Sequence, residues 1–218
     1  MGSLESEGRR VRFLRNNWYH IAGVVGVALA FLVGFFGDTL DPRRKILILN
    51  FVALLFHQYE EYVSPGGFPA AMNGMMAGSP ELVNRYPLDK RTAFINNVFF
   101  VEGFYILSIV LAGSYWIGIM TIAIGLAQLP MHGILAPLKL KRLYNPGLAT
   151  TVFLLVPIGI YYLWYLVHYA FVAAWQWWVG IAGMPVAGFV LILLPILIFR
   201  DKNSPYIWSQ EELDRFRL

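Results

Sequence analysis

The sequence predicts an all-helical membrane protein, a polytopic bundle of six transmembrane helices. Hydrophobic residues make up 58% of the 218 residues, and the mean hydropathy is +0.57. Charged residues make up only 14%, whereas soluble domains carry about a quarter. Six apolar segments are long enough to cross the roughly 30 Å hydrocarbon core of a bilayer. This composition excludes a soluble globular domain, a disordered chain and a nucleic-acid-binding module.

The six predicted spans each have the length that one transmembrane helix needs. In chain order they are 18–37, 46–63, 92–113, 115–138, 146–170 and 175–199. The first follows an arginine-rich leader (1–17), but its apolar run is too long for a signal peptide and no cleavage site follows it, so we expect it to be retained. A long loop (64–91) and a tail (200–218) complete the chain.

The lysines and arginines predict how the bundle is oriented. Fourteen of the seventeen lie in the leader, the 64–91 loop, the fourth-to-fifth loop and the tail, which all fall on one side. The other side has only Arg43, Arg44 and Lys45. The positive-inside rule therefore places both termini in the cytoplasm. The same asymmetry accounts for the net charge of +4, so no nucleic-acid partner is needed to explain it.

The 64–91 loop is unusually long, and loops of this length often act as lids or binding elements. Met72, Met75 and Met76 suit an apolar flap at the membrane interface. A mobile tether between two spans is the alternative.

Ionisable side chains inside the spans are the main functional signal, because they are costly in hydrocarbon. His57, Glu60 and Glu61 share one face of the second span with Asn50. The other spans contribute Asn96, Asn97 and Glu102 in the third, Gln128 and His132 in the fourth, and His20 in the first. At 1.5 Å per residue, His57, Asn97 and His132 lie at about the same depth near the cytoplasmic face, and Glu102 lies about two turns deeper. We therefore expect one shared polar layer.

The spans contain three glutamates but no lysine or arginine to balance them. A buried carboxylate without a basic partner binds either a proton or another cation. Each solution leads to a different chemistry.

The first solution is a metal ion. His57 with Glu61 at i+4, or with Glu60 at i+3, has a spacing that lets two side chains reach one ion, as in carboxylate sites of helix bundles. The chain has no cysteine, so ligands must be nitrogen or oxygen. Glu102 and His132 complete a set for one or two zinc or non-haem iron ions, with His20 as a further ligand. Asn50, Asn96, Asn97 and Gln128 would orient these ligands. The predicted protein is then a metal-dependent hydrolase or oxidoreductase with a lipophilic substrate.

The second solution is a proton. Glu61 and His57 would exchange protons with an isoprenoid or sterol-like alkene, and the protein would be a metal-free isomerase or cyclase with carbocation intermediates. A transporter is less favoured, because the sequence shows no inverted repeat. A non-catalytic scaffold with a hydrogen-bonded polar plug is the remaining alternative.

Three ordered motifs resemble those of the HXXEE-domain membrane proteins. They are His57-Gln58-Tyr59-Glu60-Glu61, His132 and Tyr144-Asn145-Pro146-Gly147. No activity is established for that family, so the resemblance supports the choice of residues without naming a reaction. The His57, Glu61 and Glu102 arrangement also has a partial likeness to the emopamil-binding-protein sterol isomerases, although loop lengths and the number of spans differ. That likeness would imply the acid–base chemistry.

The Tyr-Asn-Pro-Gly motif also has a local structural interpretation. Asn145 is a good N-cap and Pro146 a good first helical residue, so we expect the fifth helix to start there. Its free N–H groups would face the polar layer, and Tyr144, Asn145 and Gly147 could then hold an anionic head group or a carboxylate. Helix capping alone is the alternative.

The expected partners are a lipophilic small molecule and membrane lipids. Gly180, Gly183 and Gly188 permit close packing of the last helix, either within one chain or in a homo-oligomer.

Overall fold

All regular structure in the computed structural model is helical, over the described residues 2–215, with side chains described for residues 8–215. The all-helical class is therefore confirmed. Arg217, counted above in the tail, lies outside the described residues. The helices are α1 (Gly2–Phe36), α2 (Pro42–Tyr62), α3 (Phe68–Met76), α4 (Lys90–Val110), α5 (Tyr115–Leu140), α6 (Leu148–Tyr169), α7 (Ala174–Phe199) and α8 (Gln210–Asp214).

Five helices of the described chain are long and apolar enough to cross a membrane. They are Gly8–Thr39, Lys90–Val110, Tyr115–Leu140, Leu148–Tyr169 and Ala174–Phe199. Five helices of this length and hydropathy are consistent with a multi-pass membrane protein. The 21-residue α2 is less apolar than these five because three basic residues follow its first residue and two glutamates lie near its end.

Helix α2 is the most buried of the long helices and packs against α1, α4, α5 and α6. It begins where the Asp41 carboxylate accepts hydrogen bonds from the Arg43 and Arg44 N–H groups, at 3.0 and 3.3 Å. Pro42 occupies its first turn, where the missing N–H costs nothing. The hydrogen bonds with Arg43 hold the pKa of Asp41 at about 2, well below its usual range. Asp41 therefore remains a charged N-cap.

The helices approach one another closely at small residues. A Cβ atom on Gly23 of α1 would lie 2.5 Å from the Tyr59 ring of α2. A Cβ on Gly180 of α7 would lie 2.6 Å from Ile119 of α5, and one on Gly183 would lie 2.3 Å from Met120. Gly180 and Gly183 therefore allow close packing of α7 against α5, whereas a Cβ on Gly188, the third glycine predicted to permit it, would meet no atom within 4 Å.

The leader is helical from residue 2 onward and runs directly into the first predicted span. Residues 2–17 continue α1 without a break. Arginine and leucine, which are frequent here, are good helix formers, so nothing ends the helix before the apolar run. Arg15 lies 4.4 Å from the centre of the Tyr206 ring, which brings the leader beside the tail.

The 64–91 loop is folded against the end of α2 and contains α3. Asn73 is fully buried and holds both halves of the loop. Its Nδ2 donates to the carbonyls of Val83 and Leu88 at 2.8 and 2.9 Å, and its Oδ1 accepts from the Leu88 N–H at 2.9 Å. These hydrogen bonds link the two halves of the segment into one folded unit.

The tail packs over this loop. The Trp208 indole donates to the Leu88 carbonyl at 2.7 Å, and the Trp208 N–H donates to the Asn84 carbonyl at 2.9 Å. Asp89, the N-cap of α4, accepts from the Thr92 N–H at 2.6 Å and from the Ser204 hydroxyl. The leader, the loop and the tail therefore meet at one end of the bundle.

Replacing Asn73 by alanine should loosen the 64–91 loop, because it removes three hydrogen bonds and leaves buried backbone groups unpaired. We expect the loop to lose about 2–4 kcal/mol of local stability. Hydrogen–deuterium exchange of peptides from residues 64–91 measures this change. Asn84→Ala is the matched control, since the Asn84 side chain bonds only to the neighbouring Arg85. Equal exchange in both variants would contradict the anchoring role of Asn73.

Candidate metal or acid–base site

Three buried side chains from two helices converge at the loop end of the bundle. His57 and Glu61 lie one turn apart on α2, and His132 lies on α5; their exposed fractions are 2%, 6% and 5%. Glu61 Oε1 lies 3.5 Å from His57 Nε2 and 3.5 Å from His132 Nε2. One possible ligand atom from each residue lies within 4.8 Å of the other two. We call this the His–Glu–His cluster.

The orientation of His132 is fixed by Asn145. The Asn145 Nδ2 donates to the His132 carbonyl at 2.7 Å, so its Oδ1 is the atom that faces the His132 Nδ1, also at 2.7 Å. A carbonyl oxygen only accepts, and therefore His132 Nδ1 carries the proton. His132 Nε2 then presents a lone pair to Glu61.

The orientation of His57 is fixed by two threonines that follow Gly147. The Thr150 hydroxyl donates to Glu60 at 2.5 Å, and the Thr151 hydroxyl donates to the Gly147 carbonyl at 2.7 Å. Both hydroxyl oxygens therefore face His57 Nδ1 as acceptors, at 3.1 and 3.4 Å. His57 Nδ1 must carry the proton, which leaves the lone pair of Nε2 directed at Glu61.

Two imidazole lone pairs thus point at one carboxylate in a buried place. The separations of 3.5 Å exceed those of a hydrogen bond, so a proton on Glu61 would reach neither nitrogen well. Ligands about 2.1 Å from a tetrahedral zinc ion lie about 3.4 Å apart, whereas octahedral neighbours lie about 3.0 Å apart. The two separations between Glu61 and the histidine nitrogens, 3.5 Å each, are close to the tetrahedral value. The donor set of two imidazoles and one carboxylate also fits zinc.

Glu60 does not join this cluster, although it adjoins Glu61. It accepts from the Ala149 and Thr150 N–H groups at 3.1 and 2.7 Å, and from the Tyr144 hydroxyl at 2.9 Å. With the Thr150 hydroxyl, four donors surround this carboxylate. The first turn of α6 therefore binds a carboxylate, as the motif predicted, but the carboxylate belongs to the same chain. Burial and the Glu60 carboxylate raise the pKa of Tyr144, which remains a hydrogen-bond donor.

Gly147 brings the two histidines together. A Cβ atom here would lie 2.5 Å from His132 Cε1 and 2.8 Å from His57 Cε1. Its φ of +101° is also unfavourable for any residue with a side chain. Gly147 is the N-cap of α6, which begins at Leu148; the expected start at Pro146 with an Asn145 cap is wrong, because the Asn145 side chain bonds to His132 instead. The close approach of the two histidines therefore explains why the Tyr-x-Pro-Gly motif ends in glycine.

Irregular helical turns carry several of these residues. The segments Ile95–Glu102, Met131–Leu135 and Thr151–Leu155 are π-helical, and they include Asn96, His132 and Thr151. Single π-helical turns inside α-helices are frequent at functional sites, because the extra residue redirects a side chain. His132 follows Pro130, which lacks the N–H that a regular helix needs.

A cavity of about 290 Å³ lies beside the cluster, between α2, α4, α5 and α7, with α3 across it. The three cluster residues line it, together with Gln58, Asn96, Asn97 and Gln128. Most of the remaining lining is apolar, and α3 contributes Phe68, Met72 and Met75. The methionine-bearing loop therefore covers the cavity.

The other predicted site residues lie apart from the cluster. His20 is exposed and contacts the rings of Tyr19 and Tyr59. Glu102 is partly buried, and its Oε1 has no hydrogen-bond partner within the described chain. Asn50 is buried on α2 but does not line the cavity. Among the described histidines, cysteines and carboxylates, the group suited to one ion contains only His57, Glu61 and His132.

Sequence reasoning did not find Thr150 and Thr151, which orient His57 and hold Glu60. Neither is ionisable, so the search for costly residues passed over them. Their position directly after Tyr-Asn-Pro-Gly was the available signal. Gln58, inside the His-x-x-Glu-Glu motif, was also missed as a cavity residue.

These features define a helical, membrane-type protein with a buried His/Glu cluster beside an apolar cavity. The chain matches the family described as a protein of unknown function with an HXXEE motif, over residues 48–162. That match covers just over half of the chain, and the protein belongs to this family. No curated protein and no solved structure matches the chain, so the likeness to the sterol isomerases is not shown.

Substituting Gly147 by alanine should disrupt the cluster, because the new methyl group overlaps both imidazoles and φ is unfavourable. We expect a loss of about 2–4 kcal/mol in the free energy of unfolding. Thermal unfolding of the purified protein in detergent measures it. Gly103→Ala is the control, since a Cβ there meets no atom within 4 Å. If both variants unfold at the same temperature, Gly147 does not have this role.

Proposed function

We propose that this protein is a zinc-dependent membrane hydrolase that acts on a lipophilic substrate at the His–Glu–His cluster. The observation that supports the proposal is the convergence of two imidazole lone pairs and one carboxylate at 3.5 Å separations. Such an arrangement is unfavourable unless a cation lies between the three groups. Zinc is preferred to iron, because the separations suit four ligands in a tetrahedron.

The proposed membrane arrangement adds α2 as a sixth span, with both termini in the cytoplasm. Support comes from the contacts between the leader, the 64–91 loop and the tail, which carry most of the basic residues. Arg43, in the first turn of α2 at the opposite end of the bundle, donates to the Tyr115 hydroxyl at 2.9 Å. The positive-inside rule then places the cluster in the cytoplasmic half of the bilayer.

Each residue of the site has a defined task in this proposal. His57, Glu61 and His132 would hold the ion, which would supply Lewis-acid chemistry for hydrolysis of a carbonyl compound. Asn145, Thr150 and Thr151 keep both Nδ1 atoms protonated, so that Nε2 faces inward. A set of three protein ligands is typical of catalytic zinc sites, whereas structural zinc sites have four.

Glu60 has a different task, because its carboxylate already accepts four hydrogen bonds from Tyr144 and the first turn of α6. It attaches the first turn of α6 to α2 and thereby places Gly147 and the threonines against His57. The cavity excludes water from the apolar part of the substrate. We assign no proton transfer to Glu60.

The proposal predicts one zinc ion per chain after purification without chelators. His57→Ala, His132→Ala and Glu61→Gln should each lower the zinc content to background, because two remaining ligands hold the ion weakly. Elemental analysis by mass spectrometry provides the measurement. His20→Ala and His168→Ala are matched controls that should keep the ion, since both side chains are exposed and lie outside the cluster.

The outcomes of this experiment separate the candidate functions. A folded wild-type protein that neither contains nor takes up zinc or iron would overturn the metal proposal in favour of Glu61–His57 acid–base chemistry. Iron in place of zinc, lost in the same three variants, would overturn the hydrolase assignment and favour an oxidoreductase. Zinc that persists in His132→Ala would place the ion elsewhere.

Asn145→Ala should weaken zinc binding about 10- to 100-fold while leaving all three ligands in place. The substitution removes the acceptor of the His132 Nδ1 proton and the hydrogen bond to the His132 carbonyl that fixes the Asn145 amide. Competition with a chromophoric chelator measures the affinity. Asn203→Ala serves as the control because Asn203 is exposed in the tail. Unchanged affinity in Asn145→Ala would show that packing alone orients His132.

A further inference from the structure

We infer that the cavity binds a neutral amphiphile with a single apolar chain or ring system, whose head group donates a hydrogen bond from an O–H or N–H. The inference rests on the proposed function in one respect, namely that the cavity is the substrate site. It is supported by two buried amide oxygens, on residues that line the cavity, that have no hydrogen-bond partner within the described chain.

The first oxygen belongs to Gln58, and a chain of hydrogen bonds fixes its direction. Asn97 Nδ2 donates to the Ala93 carbonyl at 2.9 Å and to the Tyr62 hydroxyl at 3.3 Å, so Asn97 Oδ1 is left as an acceptor. Gln58 Nε2 donates to that Oδ1 at 3.2 Å. The Gln58 Oε1 must then point away from Asn97, and it has no hydrogen-bond partner in the described chain. Gln58 itself is only 1% exposed.

The second oxygen belongs to Asn96 on the π-helical segment of α4. Asn96 is 5% exposed, and its Oδ1 likewise has no partner among the described residues. Both side chains line the cavity that the His–Glu–His cluster also lines. Buried acceptors without a donor are costly, and native proteins rarely keep them without a reason. A ligand that brings a donor into the cavity would satisfy them.

The charge of the lining argues against an acidic head group. Within the described chain, the residues that line the cavity include no lysine or arginine. The lining does include the Glu61 carboxylate, so its charge would repel a carboxylate or phosphate. A neutral donor, such as an alcohol or a secondary amide, meets the two oxygens without this repulsion.

The apolar lining and the volume define the rest of the ligand. The walls include Leu54, Val101, Ile124, Met184, Ile192 and Ile196. The volume of about 290 Å³ is near the lower limit of sites for drug-sized ligands. One chain or ring system fits this space better than a two-chain lipid.

The test uses photo-crosslinking of the full-length protein in nanodiscs with matched twelve-carbon diazirine probes. One pair is an alcohol and its methyl ether, and the other is a secondary acetamide and its N-methyl derivative; a carboxylic acid is the fifth probe. We expect at least one donor probe to label cavity peptides about tenfold more than its methylated partner, since a lost hydrogen bond of this kind changes binding by about that factor. The pair with the larger ratio identifies O–H or N–H as the donor.

Three variants test whether the preference for donor probes depends on the two amide oxygens. Gln58→Met and Asn96→Leu keep the size of the side chain and should remove the preference for the donor probe, whereas Gln176→Met should keep it. Gln176 is a matched control because its Oε1 accepts from the Trp116 N–H at the other end of the bundle. Thermal unfolding verifies that each variant is folded. If one of the two cavity variants does not fold, the other one is sufficient for the test.

Equal labelling by both members of each pair, preferential labelling by the acid, or an unchanged preference in a folded cavity variant would overturn the inference. This failure is distinguishable from failure of the proposed function. Zinc content reports on the cluster alone, and the ratio between paired probes reports on the amide oxygens alone. If the protein contains no metal but still prefers the donor probes, the proposed binding site is supported and the proposed hydrolase function is overturned.

Discussion

The structure depends on one unfavourable arrangement: two imidazole lone pairs are directed at one carboxylate, and all three side chains are buried. Isolated side chains would rotate away from such a contact. Here Asn145 holds one ring, Thr150 and Thr151 hold the other, and Gly147 leaves room for both rings because it has no side chain. Several interactions thus maintain a geometry that only a cation makes favourable. Structural strain of this kind is typical of a functional site.

The two adjacent glutamates show how one motif serves two purposes. Successive residues on a helix point about 100° apart, so Glu60 and Glu61 cannot face the same neighbour. Glu61 faces the histidines, while Glu60 receives the N–H groups at the start of α6, where a helix favours negative charge. The binding of α6 to Glu60 brings Gly147 and its threonines to His57. The second glutamate of His-x-x-Glu-Glu therefore belongs to the cluster, and the first assembles it.

The sequence predicted the helical class, five of the helices that are long and apolar enough to cross a membrane, and the convergence of His57, Glu61 and His132, because hydropathy and the cost of buried charge are local properties. It did not predict that Glu60 would turn to α6, nor that Glu102 and His20 would lie apart, since depth and helical face do not determine which neighbour a side chain meets. The roles of Asn145 and Gly147 also depended on tertiary contacts. Capping preferences alone placed the start of α6 two residues early.

The ordered 64–91 loop bears on how a lipophilic molecule reaches the cavity. Phe68, Met72 and Met75 cover the cavity on the side of the loop, and Asn73 together with Trp208 of the tail fixes that cover in place. A path through the loop would require these buried hydrogen bonds to break. A path between the apolar helices requires only side-chain movement among residues that already contact lipid in the proposed arrangement. We therefore expect the substrate to enter laterally from the bilayer, which agrees with an apolar ligand that carries one small donor group.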